Sequence, residues 1–389
     1  MIKRLFLAFL VFWFVPYQIA CAQLAPAADI TLEKRMAQLE EIVRNQQKTM
    51  VEQAAQIQAL QAAVVEGKPS KTMVLPTKEE IEKKVNTSHG KLTLGGLFQG
   101  WYTYGHEVDD TARIRRTELK FAGEIVDKLN WTVMIDPAQV REDITRRSIL
   151  QDAYFTLSYI PKHKLDIGQF KIPVSEEGLR SSAKLDTIER AFISRTFGDH
   201  RDIGTMITGD WDVLMYQAGI FNGEEQNRLD VNDKKDFAWR TVLRPFRLNG
   251  FENEVLKNLE LGYSQYYRDS NDSSAFTEKR RFGYEARWEY GRYSLKGEAA
   301  FGQTASSPIW GWYGQAGYFV IPEKLQGIFK FDSFEQNERA PDDRANDFTL
   351  GLNYFVDDYH TKIQVNYVLR QGQDNLNDNQ VLGAIQVAL

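Results

Sequence analysis

From Lys91 to Leu389 the sequence alternates apolar and polar residues with a period of two, and this pattern constrains the fold more than any other feature. About sixteen segments of about 8–13 residues carry it. In one of them, Phe282 and Tyr284 alternate with Arg281 and Glu285. Because successive side chains of a strand point to opposite faces, the pattern predicts strands with one apolar and one polar face.

Short turns alternate with long polar loops between these predicted strands. The short connections are residues 126–128, 161–162, 211–212, 291, 322–323 and 357–359, with a longer one at 246–256. The long connections are residues 137–149, 172–201, 223–235, 269–279, 336–345 and 371–379. Turns at one end and loops at the other are typical of an up-and-down barrel whose two rims face different environments. Greek-key sandwiches do not alternate in this way.

Composition favours a barrel in a membrane. The chain has 23 Phe, 17 Tyr and 8 Trp among 389 residues, and the rings cluster near segment ends, as interfacial belts require. A mean hydropathy of -0.44 excludes a helical membrane protein. Lipid does not tolerate an unpaired strand edge, so the strands must close into a ring. We therefore predict an all-β fold, a 16-stranded antiparallel transmembrane β-barrel over residues 91–389 with an aqueous lumen, which is the architecture of an outer-membrane porin.

Residues 1–22 have the form of a secretory signal peptide. Lys3 and Arg4 precede an apolar stretch, and Ala20-Cys21-Ala22 has the small-x-small form that a signal peptidase accepts. The alternative is a lipoprotein whose Cys21 is acylated. Either reading predicts export from the cytoplasm.

Residues 23–66 form a predicted coiled coil, followed by a linker over residues 67–90. Apolar residues recur in alternating steps of four and three from Leu32 to Val64, which is the condition for left-handed supercoiling. Gln46 and Gln53 place polar layers in this seam. A lone helix cannot bury such a stripe, so we expect self-association in the periplasm; a single amphipathic helix lying on the barrel or membrane is the alternative.

Three segments, residues 113–123, 152–154 and 168–173, resemble the phosphate-selective porin O and P family, and the resemblance covers most of residues 91–389. It implies a homotrimer of sixteen-stranded barrels in outer-membrane lipid. It also implies passage of small anions, and a third external loop, here 172–201, that folds inward as a constriction. Some relatives carry a periplasmic coiled coil. The sequence departs from the family at its final residues Val387-Ala388-Leu389, which lack the usual aromatic, and in its basic ladder, of which only part is recognisable.

An anion-selective pore needs fixed positive charge on its wet face, and Arg suits phosphate or carboxylate because its planar fork makes two contacts. Our candidate anion-binding and pore-lining residues are Arg116, Lys120, Lys171, Arg180, Lys184, Arg190, Arg201, Arg240, Arg244 and Arg268. Lys171 is the first to test because it lies where the third loop leaves the wall. Acidic residues are almost as numerous in that loop, so a paired, structural role is open for each.

Other function classes are weaker. The five His are scattered, and no Walker loop or Gly-x-Ser-x-Gly motif occurs, so we expect no enzyme, no cofactor and no metal site. A net charge of -5 argues against nucleic-acid binding. Two alternatives to an anion channel stay open. One is a tether whose coiled coil reaches the cell wall, and the other is a non-selective porin.

Overall fold

The computed structural model describes residues 85–87, 90–105, 110–139, 149–248, 253–268, 280–303, 308–335, 344–372 and 379–389. The predicted signal peptide 1–22, the predicted coiled coil 23–66 and most of the linker 67–90 lie outside the described residues. No helix among those described is both long and apolar enough to cross a membrane.

Most of the described residues are in β-strands. The strands are β1 (Val85–Thr87), β2 (Gly90–Gly105), β3 (Thr111–Val126), β4 (Leu129–Ile135), β5 (Leu150–Leu157), β6 (His163–Lys171), β7 (Arg201–Asp210), β8 (Leu214–Phe221), β9 (Asp236–Leu243), β10 (Glu260–Tyr267), β11 (Arg280–Tyr290), β12 (Tyr293–Gln303), β13 (Pro308–Ile321), β14 (Leu325–Glu335), β15 (Arg344–Asp357), β16 (Thr361–Gln371) and β17 (Gln380–Ala388). One short helix, α1 (Glu176–Leu179), and single helical turns at Ser182–Lys184, Ser194–Gly198 and Pro245–Arg247 complete the set.

Strands β2 to β17 form a closed antiparallel ring. Each pairs with the next along the chain, and β17 pairs with β2, for example Val381 opposite Tyr104. β1 adds a short hairpin to β2, with Val85 opposite Leu92. The predicted 16-stranded barrel is therefore confirmed, and closure leaves none of its sixteen strands with a free edge.

The two faces of the wall differ in chemistry, as the alternating sequence requires. On β15, Leu350, Leu352 and Tyr354 are about half exposed, at 56%, 56% and 49%, whereas Thr349 and Asn353 are buried at 4% and 0%. An outward belt of exposed aliphatic and aromatic side chains is stable only against hydrocarbon. The buried polar side chains face the interior of the ring.

The rims differ as predicted. Most connections at one end are two to five residues long, and several place one residue in the left-handed backbone region, such as Lys128 (φ 66), Lys162 (φ 62) and Glu323 (φ 58). The longer connection there spans 244–259. At the other end lies the longest connection of all, residues 172–200 between β6 and β7, which is the third loop of that rim. We call it the inner loop because of where it packs.

Candidate channel and the inner loop

The inner loop crosses the lumen of the barrel. On one side, the Ser264 hydroxyl of β10 donates to the Val174 carbonyl at 3.1 Å. On the other, the Gln99 amide of β2 donates to the Ser182 carbonyl at 3.4 Å. β2 and β10 are eight strands apart in a ring of sixteen. One segment can bond to opposite sides of a closed ring only from inside it.

Three buried lysines hold the loop against the wall, and we call them the lysine triad. They lie on alternate strands β12, β14 and β16 and point to the interior. Lys296 donates to the Asp186 carboxylate at 2.5 Å, Lys330 to the Glu189 carbonyl at 2.8 Å, and Lys362 to the Leu185 carbonyl at 2.6 Å. The ammonium groups of these lysines hold the inner loop in place. The sequence analysis did not identify them.

Apolar contacts also fix the loop. Ile193 and Phe197 of the loop pack with Ala300, Tyr313 and Phe334 of the wall, and all five are buried. A second cluster packs the start of the loop against β6 to β10, and a third packs Ile188 near Trp101. Close packing of this kind excludes water from the contact between the loop and the wall and leaves the loop little freedom.

Electrostatics reinforce the docking. Burial alone would raise the pKa of Asp186, but Lys296 and Arg180 outweigh it and hold that pKa below its usual range. Burial likewise opposes the charge of Asp199, yet Lys171 and Arg190 keep the pKa of its carboxyl well below its usual range. Both loop carboxylates are therefore ionised at neutral pH and act as fixed anchors.

A cavity of about 680 Å³ remains between the inner loop and the wall of β2 to β8. It extends from Gln139, in a long loop, to Tyr359, in a short turn, so it runs between the two rims. Its charged lining residues are Arg115, Arg116, Lys120, Lys171, Lys184 and Arg201 on the basic side and Glu118, Asp136, Asp152, Asp166, Asp199 and Asp358 on the acidic side. The two signs are nearly balanced along this path.

Five of the ten candidate residues line this cavity, namely Arg116, Lys120, Lys171, Lys184 and Arg201. Three of them are ion-paired: Arg116 with Glu118 at 3.7 Å, Lys171 with Asp199 at 2.7 Å, and Arg201 with Asp152 at 2.7 Å. Lys120 and Lys184 are exposed, and within the described part of the chain neither takes part in an ion pair. They are the cations best placed to meet a solute.

The other five candidates do not line the cavity and make structural contacts. Arg180 bonds Glu176 at 3.0 Å, Arg190 pairs with Asp199 at 3.2 Å, Arg240 bonds Glu285 at 3.0 Å, Arg244 bonds Asp210 at 2.7 Å, and Arg268 donates to the Gly223 carbonyl at 2.6 Å. Each guanidinium is thereby committed to a neighbour in the wall or loop.

A β-bulge adds a cation that alternation did not predict. Gln99 opposes Arg116 while Gly100 opposes Ile114, so Arg115 is an extra residue in β3. It lines the cavity beside Arg116 although the two are consecutive. The guanidinium carbons of Arg115 and Arg116 lie 5.3 and 5.9 Å from the ring centroid of Trp101, within cation–π range. The only signal in the sequence was the pair of adjacent arginines.

Over the ranges that the structure describes, no group of three or more His, Cys, Asp or Glu side chains is arranged to hold an ion.

A closed ring of sixteen strands, apolar outside and polar within, with a charged passage between its rims, defines an outer-membrane porin.

Comparison with models of protein families shows which porin family the chain belongs to. The model of the phosphate-selective porin O and P family matches residues 96–287 and 271–388, so the chain belongs to that family. Family and fold indicate a channel rather than an enzyme, and they place the barrel in the outer membrane. A search of curated protein sequences gives no match.

Solved porins share the fold at low sequence identity. The anion-selective porin from Comamonas acidovorans is 11% identical with a TM-score of 0.56, covering 77% of this chain and 100% of its own. The trimer form of OmpT from Vibrio cholerae is 11% identical with a TM-score of 0.54, covering 77% and 99%. OmpF of Salmonella typhi, in complex with daunomycin, is 13% identical with a TM-score of 0.54, covering 79% and 100%.

Proposed function

We propose that this porin is a passive, anion-selective channel for small solutes. The predicted third external loop, 172–201, of which residues 172–200 are the inner loop, is its constriction. The observation that carries the proposal is the exposure of Lys120 and Lys184 to the 680 Å³ cavity, with no ion pair to either among the described residues. A cation that is not neutralised by the protein attracts a passing anion, and two of them on one path provide successive weak sites.

The constriction is supported by the packing of the inner loop. Hydrogen bonds join it to opposite walls at Ser264 and Gln99, and the lysine triad holds its middle. A solute must pass beside the loop, along β2 to β8, where Arg115 and Arg116 lie. Lys171, bonded to both Asp199 and the Gly178 carbonyl, fixes the start of the loop and, on this proposal, acts on anions only through the field it adds.

The selectivity follows from which charges are neutralised. Glu118, Asp152 and Asp199 each face a cation at 2.7–3.7 Å, so their fields largely cancel at longer range. Lys120 and Lys184 lack such partners in the described residues, and so do Asp136, Asp166 and Asp358 of the same lining. Asp136 is buried and accepts backbone N–H bonds from Thr117 and Ala138. On this proposal the two exposed lysines outweigh the remaining carboxylates and set the residual sign. Because the other charges along the cavity are nearly balanced, we expect moderate selectivity for anions. We do not expect a site that binds an anion tightly enough to stop its passage.

The proposal also covers the oligomeric state of the porin and the location of its N-terminal segment. We propose a homotrimer in outer-membrane lipid, by analogy with the trimer form of OmpT, whose barrel has the same fold. The N-terminal coiled coil, residues 23–66, would lie in the periplasm, where its heptad seam would support the trimer and reach toward the cell wall. These assignments rest on the heptad pattern and on the shared fold.

Reversal potentials in asymmetric KCl test the proposal. The purified porin in a planar bilayer should favour chloride over potassium. The double variant Lys120→Gln/Lys184→Gln should move the reversal potential toward zero, because it removes the two uncompensated cations. Lys257→Gln, an exposed lysine in the 244–259 connection that pairs with Glu254, is the matched control and should leave the value unchanged. A reversal potential near zero for the unaltered porin would identify a non-selective channel instead.

A further inference from the structure

We propose that the channel favours organic monoanions with an apolar body, such as aromatic carboxylates, over inorganic phosphate. The inference rests on the proposed anion pathway and names the class of solute that its lining fits. The observation behind it is a band of apolar side chains on the interior wall, where a porin lumen is otherwise polar.

Four successive strands each contribute one apolar residue to the lining of the cavity. Met134 comes from β4, Tyr154 from β5, Phe170 from β6 and Met206 from β7. We call these four residues the apolar strip. The Tyr154 and Phe170 rings meet edge to face with centroids 5.7 Å apart, and Met206 packs in the same cluster. Tyr154, Phe170 and Met206 therefore form a continuous surface, and Met134 lines the same cavity from the strand next to Tyr154.

The strip also has a face open to the lumen. Phe170 and Met206 are nearly buried, at 5% and 6%, which a role in anchoring the inner loop would explain. Met134 and Tyr154 are only half-buried and line the same cavity. Tyr154 also packs against the cluster that anchors the loop, whereas Met134 is not part of that cluster. Methionine and tyrosine present polarisable, amphipathic surfaces that suit a flat aromatic solute.

Cations border the strip. Lys171 follows Phe170 directly, and Arg201 opposes Lys171 in the β6–β7 ladder. Both line the cavity, as do Arg116 and Lys120 of β3. A solute with a carboxylate at one end and an apolar ring at the other can therefore face the cations while its ring lies on the strip.

Inorganic phosphate fits this lining less well. Arg201, Lys171 and Arg116 each hold a carboxylate partner, namely Asp152, Asp199 and Glu118. A dianion that approaches these pairs meets acceptor oxygens as well as donors, and its larger hydration cost is not repaid. A monoanion with an apolar body loses less hydration and gains contact area on the strip.

Bi-ionic reversal potentials with potassium benzoate, acetate and phosphate against KCl test the inference. The porin should pass benzoate more readily than acetate, which has the carboxylate without the ring, and more readily than phosphate. Met134→Thr and Tyr154→Ser should each reduce the benzoate preference over acetate by roughly threefold to tenfold, since each removes apolar contact area. The chloride over potassium ratio should stay as it was, because neither variant changes a charge.

The matched control is Met215→Thr, an interior-facing methionine of β8 that is absent from the described lining of the cavity. It should keep the benzoate preference. If Tyr154→Ser does not assemble, Met134→Thr and the comparison of the three anions on the unaltered porin decide the matter. An anion-selective porin that passes phosphate or acetate as readily as benzoate overturns this inference alone. A porin without anion selectivity overturns the proposed function and this inference together.

Discussion

The Lys296 ammonium of β12 lies 2.5 Å from the Asp186 carboxylate at the middle of the inner loop, and both side chains are almost fully buried. Gln315 donates to the same carboxylate oxygen at 2.7 Å. Lys296 also pairs with Glu289 at 2.8 Å, so it would keep an acidic partner if the charge of Asp186 were removed. Neutralisation of Asp186 should therefore weaken the seating of the loop on the wall.

The first prediction concerns Asp186→Asn. Loss of the charge-assisted bonds should weaken loop docking by about 1–3 kcal/mol. Single-channel recordings should show larger and noisier conductance, because an undocked loop leaves more of the lumen open. Asp210→Asn, which alters an exposed pair with Arg244 at the short-turn rim, should have little effect. Quiet traces of unchanged conductance from D186N would show that this contact does not hold the constriction.

The second prediction concerns acid. The folded-state pKa values of Asp186 and Asp199 are depressed, so their contribution to docking is present above the ordinary carboxyl pKa and is lost as pH falls through the lowered values. Conductance should be the same at pH 7 and pH 5 and should become unstable only below about pH 4. A transition between pH 5 and pH 7 would point to other groups.

The third prediction concerns the bulge at Arg115. Deleting this residue should preserve the ladder on both sides, because Gln99 would still oppose Arg116 and Gly100 would still oppose Ile114. The shortened chain should assemble, as judged by heat-modifiable migration on gels, and should show weaker anion selectivity. Arg115→Gln keeps the bulge and should weaken selectivity to a similar degree. Failure of the deletion variant alone to assemble would mean that the bulge is needed for the fold.

The fourth prediction concerns Gly168 of β6. Its backbone has φ of 134°, and a Cβ there would lie 2.3 Å from the Ala153 carbonyl oxygen. Gly168→Ala should therefore lower the midpoint of thermal unfolding and reduce barrel assembly, since both the conformation and the space exclude a side chain. Gly383→Ala on β17, where a Cβ meets nothing within 4 Å, is the control and should assemble normally. Equal behaviour of the two variants would contradict the described backbone.

The barrel was predictable because its determinant is local. A two-residue alternation marks each strand, and loop length separates the two rims, so strand number and closure follow from the sequence. Alternation fails near the site at Arg115, where a β-bulge inserts one extra residue into β3. A second register shift, at Gln151 in the β4–β5 ladder, also lies beside the cavity. A ladder shift of this kind depends on how two strands pair, so the adjacent arginines of β3 indicated it only weakly.

The candidate site was predictable only in part. Lys120 and Arg116 follow from their position on the polar face of β3, and both line the cavity. Alternation equally places Arg240 on a polar face, but its bond to Glu285 comes from a strand two positions away in the ring, which spacing cannot foresee. The lysine triad was missed for the same reason, since its members meet the loop only after the ring has closed. The assignment of individual residues to anion transport stays a prediction.

The position of the inner loop also bears on how the molecule is made. Its anchors lie on both halves of the chain, with Gln99 on β2 and Lys330 and Lys362 on β14 and β16. The loop can make all of these contacts only when both halves of the wall stand around it. Seating of the loop and closure of the cylinder are therefore coupled, and the narrow pore exists only in the completed barrel.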